Sequence, residues 1–96
     1  MKIEVLKVRL QPPWKTLKAF IDLNLDEITV RDFRVVQEDG KRPHVKSPFS
    51  TYKDQNGKLN FRSIVILPDL LKGEVDFIVL DAYRREMEKA NGTPSK

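Results

Sequence analysis

The chain of 96 residues contains no cysteine and a single histidine, His44. Without thiols it forms neither a disulfide nor a thiolate metal site. The single imidazole lies in a basic segment, where a solvated or edge-strand histidine is expected rather than a metal ligand or a catalytic base. The residues for nucleophilic catalysis are also missing, because a Ser, Cys or Lys nucleophile needs an activating base beside it and the chain offers a single histidine. The four glycines are isolated and form no phosphate-binding loop. We therefore predict a protein that is not an enzyme, with no metal, no cofactor and no small-molecule substrate.

Long apolar runs are absent as well. No segment approaches the roughly 18 apolar residues that a membrane-spanning helix needs. The first ten residues alternate apolar and charged side chains in a strand pattern and do not resemble a signal peptide. A chain without cysteine also suits a reducing compartment. These features predict a cytoplasmic protein that does not enter a membrane.

The small size of the chain bears on its assembly. We expect a single domain over residues 1–90, followed by a disordered tail over 91–96. A domain of this length buries a small share of its surface and is marginal alone unless a disulfide, a metal or another subunit supports it. Since the first two are excluded, the sequence predicts a homodimer.

Alternating hydrophobicity predicts several β-strands. In residues 17–25 the odd positions are apolar, while Lys18, Asp22 and Asn24 point to the other face. In residues 3–10 the same period places Leu6, Val8 and Leu10 together. Further extended segments are predicted over residues 28–36, 44–46 and 59–67, the last ending at a proline. An Asn-Gly pair within residues 53–58 predicts a hairpin tip.

The segment 28–36 changes phase in the middle. Ile28 and Val30 share one parity, whereas Phe33 and Val35 share the other. A β-bulge near Arg31-Asp32 would keep both pairs on the core side, because one extra residue restores the register. The alternative is a central strand that is buried on both faces.

Helical periodicity begins after Pro68. Asp69 is a suitable N-cap, and Gly73 is expected to separate a short first turn from the main helix. The apolar stripe consists of Leu71, Val75, Ile78, Val79 and Ala82, widened by Leu80, Tyr83 and Met87. Strands followed by one helix predict an α+β fold, with an antiparallel sheet of about five strands and a C-terminal α-helix.

Positive charge is concentrated in one part of the chain. The net charge is +4, and residues 41–62 contain six basic residues against one acid. A local basic segment provides phosphate contacts, and an aromatic ring beside it can stack on an unpaired base. We predict nucleic-acid contacts at Lys53, Lys58 and Arg62, with Tyr52 as the stacking ring. The alternative is an ordinary solvated surface.

A second basic pair lies on the helix, at Arg84 and Arg85. Here the neighbouring acids weigh against a binding role, because Asp81 is placed to pair with Arg85 and Glu88 with Arg84. Charge alone therefore favours the segment 41–62 over the helix.

Several short motifs occur in a characteristic order. They are Val8-Arg9-Leu10, Leu17-Lys18-Ala19-Phe20 and Val30-Arg31-Asp32-Phe33-Arg34-Val35-Val36. In order and spacing they resemble the stage V sporulation protein G (septation regulator) family. Pro48, the Asp54–Gly57 hairpin, Ile64, Pro68 and a helix ending near Tyr83 extend this resemblance over roughly residues 3–87. The family motifs around Pro48 differ, since Ser47 and Phe49 replace methionine and serine and no Gly-Phe pair precedes them.

This resemblance implies a dimeric α+β protein that binds DNA and RNA and regulates septation or sporulation in bacteria. It places DNA contacts in the C-terminal part, which by position means Arg84 and Arg85, in contrast to the charge distribution. A different class of function is also compatible with the sequence. In that alternative the chain is a non-catalytic dimeric interaction module whose basic face binds an acidic protein.

Overall fold

The computed structural model describes residues 1–90 and has an α+β fold. The main antiparallel sheet contains four strands in chain order, namely β1 (Ile3–Leu10), β2 (Leu17–Leu25), β3 (Ile28–Val36) and β4 (His44–Lys46). A separate two-stranded hairpin consists of β5 (Phe49–Lys53) and β6 (Leu59–Ser63), and helix α1 (Asp69–Ala90) follows it. The predicted class is confirmed, but the strands number six and belong to two sheets. The predicted tail, 91–96, lies outside the described residues.

The core lies between one face of the main sheet and the helix. The odd residues of β2 from Ala19 to Leu25 are all buried, as their alternation predicts. Phe33 and Val35 of β3 and Val45 of β4 extend this face, and Val75 and Val79 of α1 cover it. The even residues of β2 and β4, and those of β3 after its bulge, therefore point to the side of the sheet opposite the helix.

Strand β1 differs from its predicted pattern at one position. Val8 and Leu10 pair with Ile21 and Ala19 and pack against the core, as expected. Leu6 does not join them, because the register shifts between Val5 and Lys7 and leaves Leu6 without a partner on β2 and 50% exposed. The extra residue keeps both halves of the strand in phase with the core.

The predicted bulge in β3 is present. Ile21 pairs with Phe33 and Leu23 pairs with Val30, so two residues of β3 lie opposite the single residue Asp22. Asp32 adopts a positive φ of 67°, which is unusual for a residue with a side chain. The bulge restores the core parity of Phe33 and excludes the alternative of a strand buried on both faces.

Strand β6 is shorter than the sequence predicts, since it ends at Ser63 rather than at Leu67. Its partner strand begins at Phe49, which pairs with Ser63. The N–H of Ile64 still donates to the carbonyl of Pro48 at 2.9 Å. The ladder stops there because a proline has no N–H to donate in return.

Helix α1 is continuous from Asp69 to Ala90, and Gly73 lies inside it without a break. Packing on the sheet through Val75 and Val79 outweighs the propensity penalty of one glycine, which is about 1 kcal/mol. Leu70 and Phe77 lie outside this contact and are 87% and 75% exposed. Within residues 1–90, no helix is long and apolar enough to cross a membrane.

Candidate nucleic-acid interface

The tip of the β5–β6 hairpin is organised by Asp54. One oxygen of its carboxylate accepts hydrogen bonds from the backbone N–H groups of Asn56 and Lys58 at 2.9 and 3.0 Å, and the other accepts from the Asn60 amide at 3.0 Å. These bonds, led by that from Lys58, lower the pKa of Asp54 below its ordinary value of 3.8. Gly57 completes the turn with a φ of 77°. The negative charge that interrupts the basic segment is therefore used to build the turn.

The cross-strand register separates the predicted contact residues of the hairpin. Tyr52 pairs with Asn60 and shares a face with Arg62, whose guanidinium carbon lies 5.3 Å from the centroid of the Tyr52 ring. Lys53 pairs with Leu59 on the opposite face. Lys58 follows the turn. The structure thus brings Tyr52 and Arg62 together and places Lys53 behind them.

In the described part of the chain, the basic residues of the hairpin form no ion pairs. Within residues 1–90, no carboxylate pairs with Lys53, Lys58 or Arg62, and all three are exposed. Tyr52 beside them is 46% exposed. Their charges are available to an external anion.

The helix pair has a different environment. Arg84 and Arg85 both bind the carboxylate of Asp81, at 2.5 and 3.0 Å, and Arg84 lies 3.7 Å from Glu88. The preceding Tyr83 packs against the core, and burial raises the pKa of its hydroxyl. The two arginines remain exposed, but most of their charge is compensated locally.

The open face of the main sheet carries a row that the sequence reasoning did not propose as a site. Four residues lie side by side across β1 to β4, in the order Arg9, Phe20, Arg34 and Lys46. The guanidinium carbons of Arg9 and Arg34 lie 5.4 and 5.5 Å from the centroid of the Phe20 ring. This row therefore places one aromatic ring between two arginines, with a lysine at its end.

The two arginines of this row differ in their partners. Arg9 Nη2 donates to Asp22 at 2.8 Å and to Asp32 at 2.7 Å, and the bond to Asp32 raises the pKa of Arg9. Arg34 has no ion pair with any carboxylate in the described part of the chain. Its guanidinium also lies 4.0 Å from the ring centroid of Phe49 and donates to the Phe49 carbonyl at 3.4 Å. Arg34 is thus held by aromatic rings rather than by a counter-charge.

A signal for this row is present in the sequence. The alternation that buries the odd residues of β2 also places Lys18 and Phe20 on the opposite face. The pairing that brings Arg34 beside Phe20 depends on the bulge in β3, which lies between the β2–β3 turn and this pair. The row follows from register, which composition alone does not give.

Other candidate chemistry is lacking in the described residues. His44 is exposed on the edge strand β4, as predicted, and no group of acidic or histidine side chains within residues 1–90 could hold a metal ion. Comparison of the chain with protein-family models, with curated proteins and with solved structures gives no match.

Proposed function

We propose that this protein is a nucleic-acid-binding regulator of the septation and sporulation regulator type, acting in the cytoplasm as a homodimer. The sequence motifs from Val8 to Tyr83 support the family, and the α+β fold with a C-terminal helix agrees with what that family implies. The binding role rests on basic side chains that have no carboxylate partner within residues 1–90.

The observation that carries this proposal is the contrast between the two basic regions. Lys53, Lys58 and Arg62 have no ion pair within residues 1–90, whereas Arg84 and Arg85 share Asp81. A cation that already holds a carboxylate gains less from a phosphate, because the existing pair must be broken or shared. The hairpin therefore provides the main phosphate contacts, and the helix contributes less.

The test is fluorescence anisotropy of labelled duplex DNA, single-stranded DNA and RNA over a salt series. Changing Lys53, Lys58 and Arg62 together to alanine should weaken binding to all sequences and reduce the salt slope on duplex DNA by about 3. Changing Lys41, Lys72 and Lys89 to alanine is the matched control. This variant also loses three positive charges, but each of these lysines already lies near a carboxylate, at 3.9, 2.7 and 3.8 Å.

Three outcomes contradict the proposal in part or in whole. Equal losses in the two triple variants would mean that binding depends on net charge alone. A loss on changing Arg84 and Arg85, with none from the hairpin variant, would place the contacts on the helix as the family resemblance implies. Absence of binding to all three nucleic acids at low salt would refute the function and favour an acidic protein as the partner.

The hairpin also supports the proposed dimer. A two-stranded hairpin is marginally stable alone, and this one exposes large apolar side chains. Leu59 and Phe61 share one face of it and are 54% and 67% exposed, and Ile64 and Ile66 beyond β6 are 63% and 84% exposed. A second copy that packs on this surface would remove these side chains from water, while Lys53, on the same face at the hairpin tip, would extend its ammonium group past the edge of the contact.

Sedimentation tests the dimer. We expect twice the chain mass of 11.2 kDa at micromolar concentration. Leu59→Lys combined with Ile66→Lys should shift the protein towards the monomer, because two charges would be buried without partners. Trp14→Lys is the control, since Trp14 is 81% exposed in the β1–β2 loop. A stable monomer of the unchanged protein would refute the dimer.

A further inference from the structure

The open face of the main sheet offers a second, differently built anion site. The row Arg9, Phe20, Arg34 and Lys46 crosses all four strands, which at the usual strand spacing is a distance of about 14 Å. Four-stranded sheets that bind RNA use such an open face to stack two or three bases on aromatic side chains. The length and composition of the row fit a short stretch of unpaired nucleotides.

Arg34 is the most distinctive residue of the row. It is half-buried, and its guanidinium carbon lies 5.5 Å from the ring centroid of Phe20 and 4.0 Å from that of Phe49. In the described residues the guanidinium of Arg34 makes one hydrogen bond, to the carbonyl of Phe49 at the long distance of 3.4 Å. A guanidinium that is oriented in this way and lacks a carboxylate loses little freedom when it donates to a phosphate.

The space beside Arg34 can accept such a group. A cavity of about 330 Å³ lies between β3 and the start of β5, and Arg31, Arg34, Pro48 and Phe49 are among its lining residues. Arg31 also lacks an ion pair within residues 1–90, and the acid at this cavity, Asp32, is already bound to Arg9. The cavity is therefore electropositive.

We infer that the open face of the main sheet binds single-stranded nucleic acid, with unpaired bases lying across the Phe20 ring and the guanidinium groups of Arg9 and Arg34 that flank it, and with Arg34 and Lys46 contacting the phosphates. This inference rests on the proposed function and adds the class of substrate. Bases in a duplex are covered by their neighbours and cannot lie against this row, so the row favours single strands. The hairpin cations, in contrast, contact phosphates of either form.

Two substitutions test the assignment by anisotropy with a labelled oligothymidylate and a labelled duplex. Phe20→Leu should weaken binding to the single strand by about fivefold or more and leave duplex affinity unchanged. Arg34→Gln should reduce the single-strand salt slope by about 0.7. The controls are Phe77→Leu, at a 75% exposed ring on the helix, and Lys72→Gln, at a lysine of the helix that lies 2.7 Å from Asp76. Neither control should change the single-strand affinity.

A second measurement does not depend on mutant stability. An oligonucleotide that carries 5-iodouracil should crosslink to the unmodified protein under irradiation. Trypsin cleaves after Lys18 and after Arg31, so a crosslink at Phe20 appears on the peptide of residues 19–31.

The outcomes separate this inference from the proposed function. If the unmodified protein binds no nucleic acid, the proposed function itself fails. If it binds, but Phe20→Leu and Arg34→Gln retain full single-strand affinity and the crosslink maps to another peptide, the open face is not the site and the function stands. Displacement of the oligothymidylate by polyglutamate at matched charge concentration would overturn the assignment to nucleic acid in favour of an acidic protein.

Discussion

Asp22 joins three strands at the bulge, and its replacement by alanine should destabilise the domain measurably. Its Oδ1 accepts from the N–H of Asp32 at 3.1 Å and from Arg9 Nη2 at 2.8 Å, and its side chain is 13% exposed. The substitution removes an acceptor for the backbone at a residue with φ of 67° and one of the two carboxylates that bind Arg9.

The expected size follows from these contacts. A hydrogen bond to a charged group contributes about 1.5–3 kcal/mol, but the N–H of Asp32 can be partly rehydrated at the exposed bulge. The ion pair adds about 0–1 kcal/mol, because Arg9 is 39% exposed and keeps its bond to Asp32 at 2.7 Å. We expect a total of about 2 kcal/mol, which lowers the melting temperature of a domain of this length by about 10 °C.

Thermal unfolding followed by circular dichroism measures this change. All proteins are compared at one concentration, because the melting temperature of a dimer depends on it. Asp22→Asn is the matched variant. It keeps Oδ1 as an acceptor and should lower the melting temperature by about 5 °C or less. A value for Asp22→Ala close to that of the unmodified protein, or an equal loss in Asp22→Asn, would show that Asp22 does not hold the bulge.

Three further predictions concern the turn, the helix and the core. Gly57→Ala should lower the free energy of unfolding by about 1–2 kcal/mol, because Gly57 has a positive φ. Gly73→Ala should raise it by about 1 kcal/mol, because alanine favours the helix and a Cβ there meets no atom within 4 Å. Thermal melts of the two variants should therefore show melting temperatures that change in opposite directions. Hydrogen bonds, first of all that from Lys58, lower the pKa of Asp54 in the folded hairpin. The hairpin should therefore keep its stability above pH 3.8 and lose that stability as the pH falls through the lower folded-state pKa. Amide exchange in the turn measures this loss, and Asp54→Asn should make the exchange rate of the turn independent of pH-linked titration at this position. Val79→Ala removes two methyl groups from a fully buried site and should destabilise by about 2–3 kcal/mol in urea unfolding.

Local periodicity was sufficient for the buried face of β2 and for the apolar stripe of the helix, but it was wrong for Leu6 and for a break at Gly73. The buried face of β2 could be predicted because its odd residues alternate without interruption. The bulge at Asp32 could be predicted because Val30 and Phe33 both have to reach one core. In contrast, the early end of β6 depends on the missing N–H of Pro48, a residue 15 positions before Ser63. Such a partner becomes visible only when the register of the hairpin is known.

The candidate sites show the same division. The free cations of the hairpin follow from composition, because no acid other than Asp54 lies in the segment and Asp54 is occupied by the turn. That Lys53 and Arg62 lie on opposite faces depends on the cross-strand pairing. To predict the row on the open face, one must also know the register of each strand pair, because a slip of one position would turn Arg9 to the core side.

Arg34 links the two proposed surfaces physically. Its guanidinium touches Phe20 on the sheet and Phe49 on the hairpin, and the Phe49 ring packs edge-on against Phe61 at 5.5 Å. The contacts from Arg34 to Phe49 and from Phe49 to Phe61 would therefore connect a phosphate bound by Arg34 with a second subunit packed on Phe61. Equilibrium linkage requires that any effect of the nucleic acid on dimer affinity equals, as a factor, the effect of the dimer on nucleic-acid affinity. The contacts of Phe49 with Arg34 and with Phe61 are the shortest route by which the two proposed surfaces would be coupled.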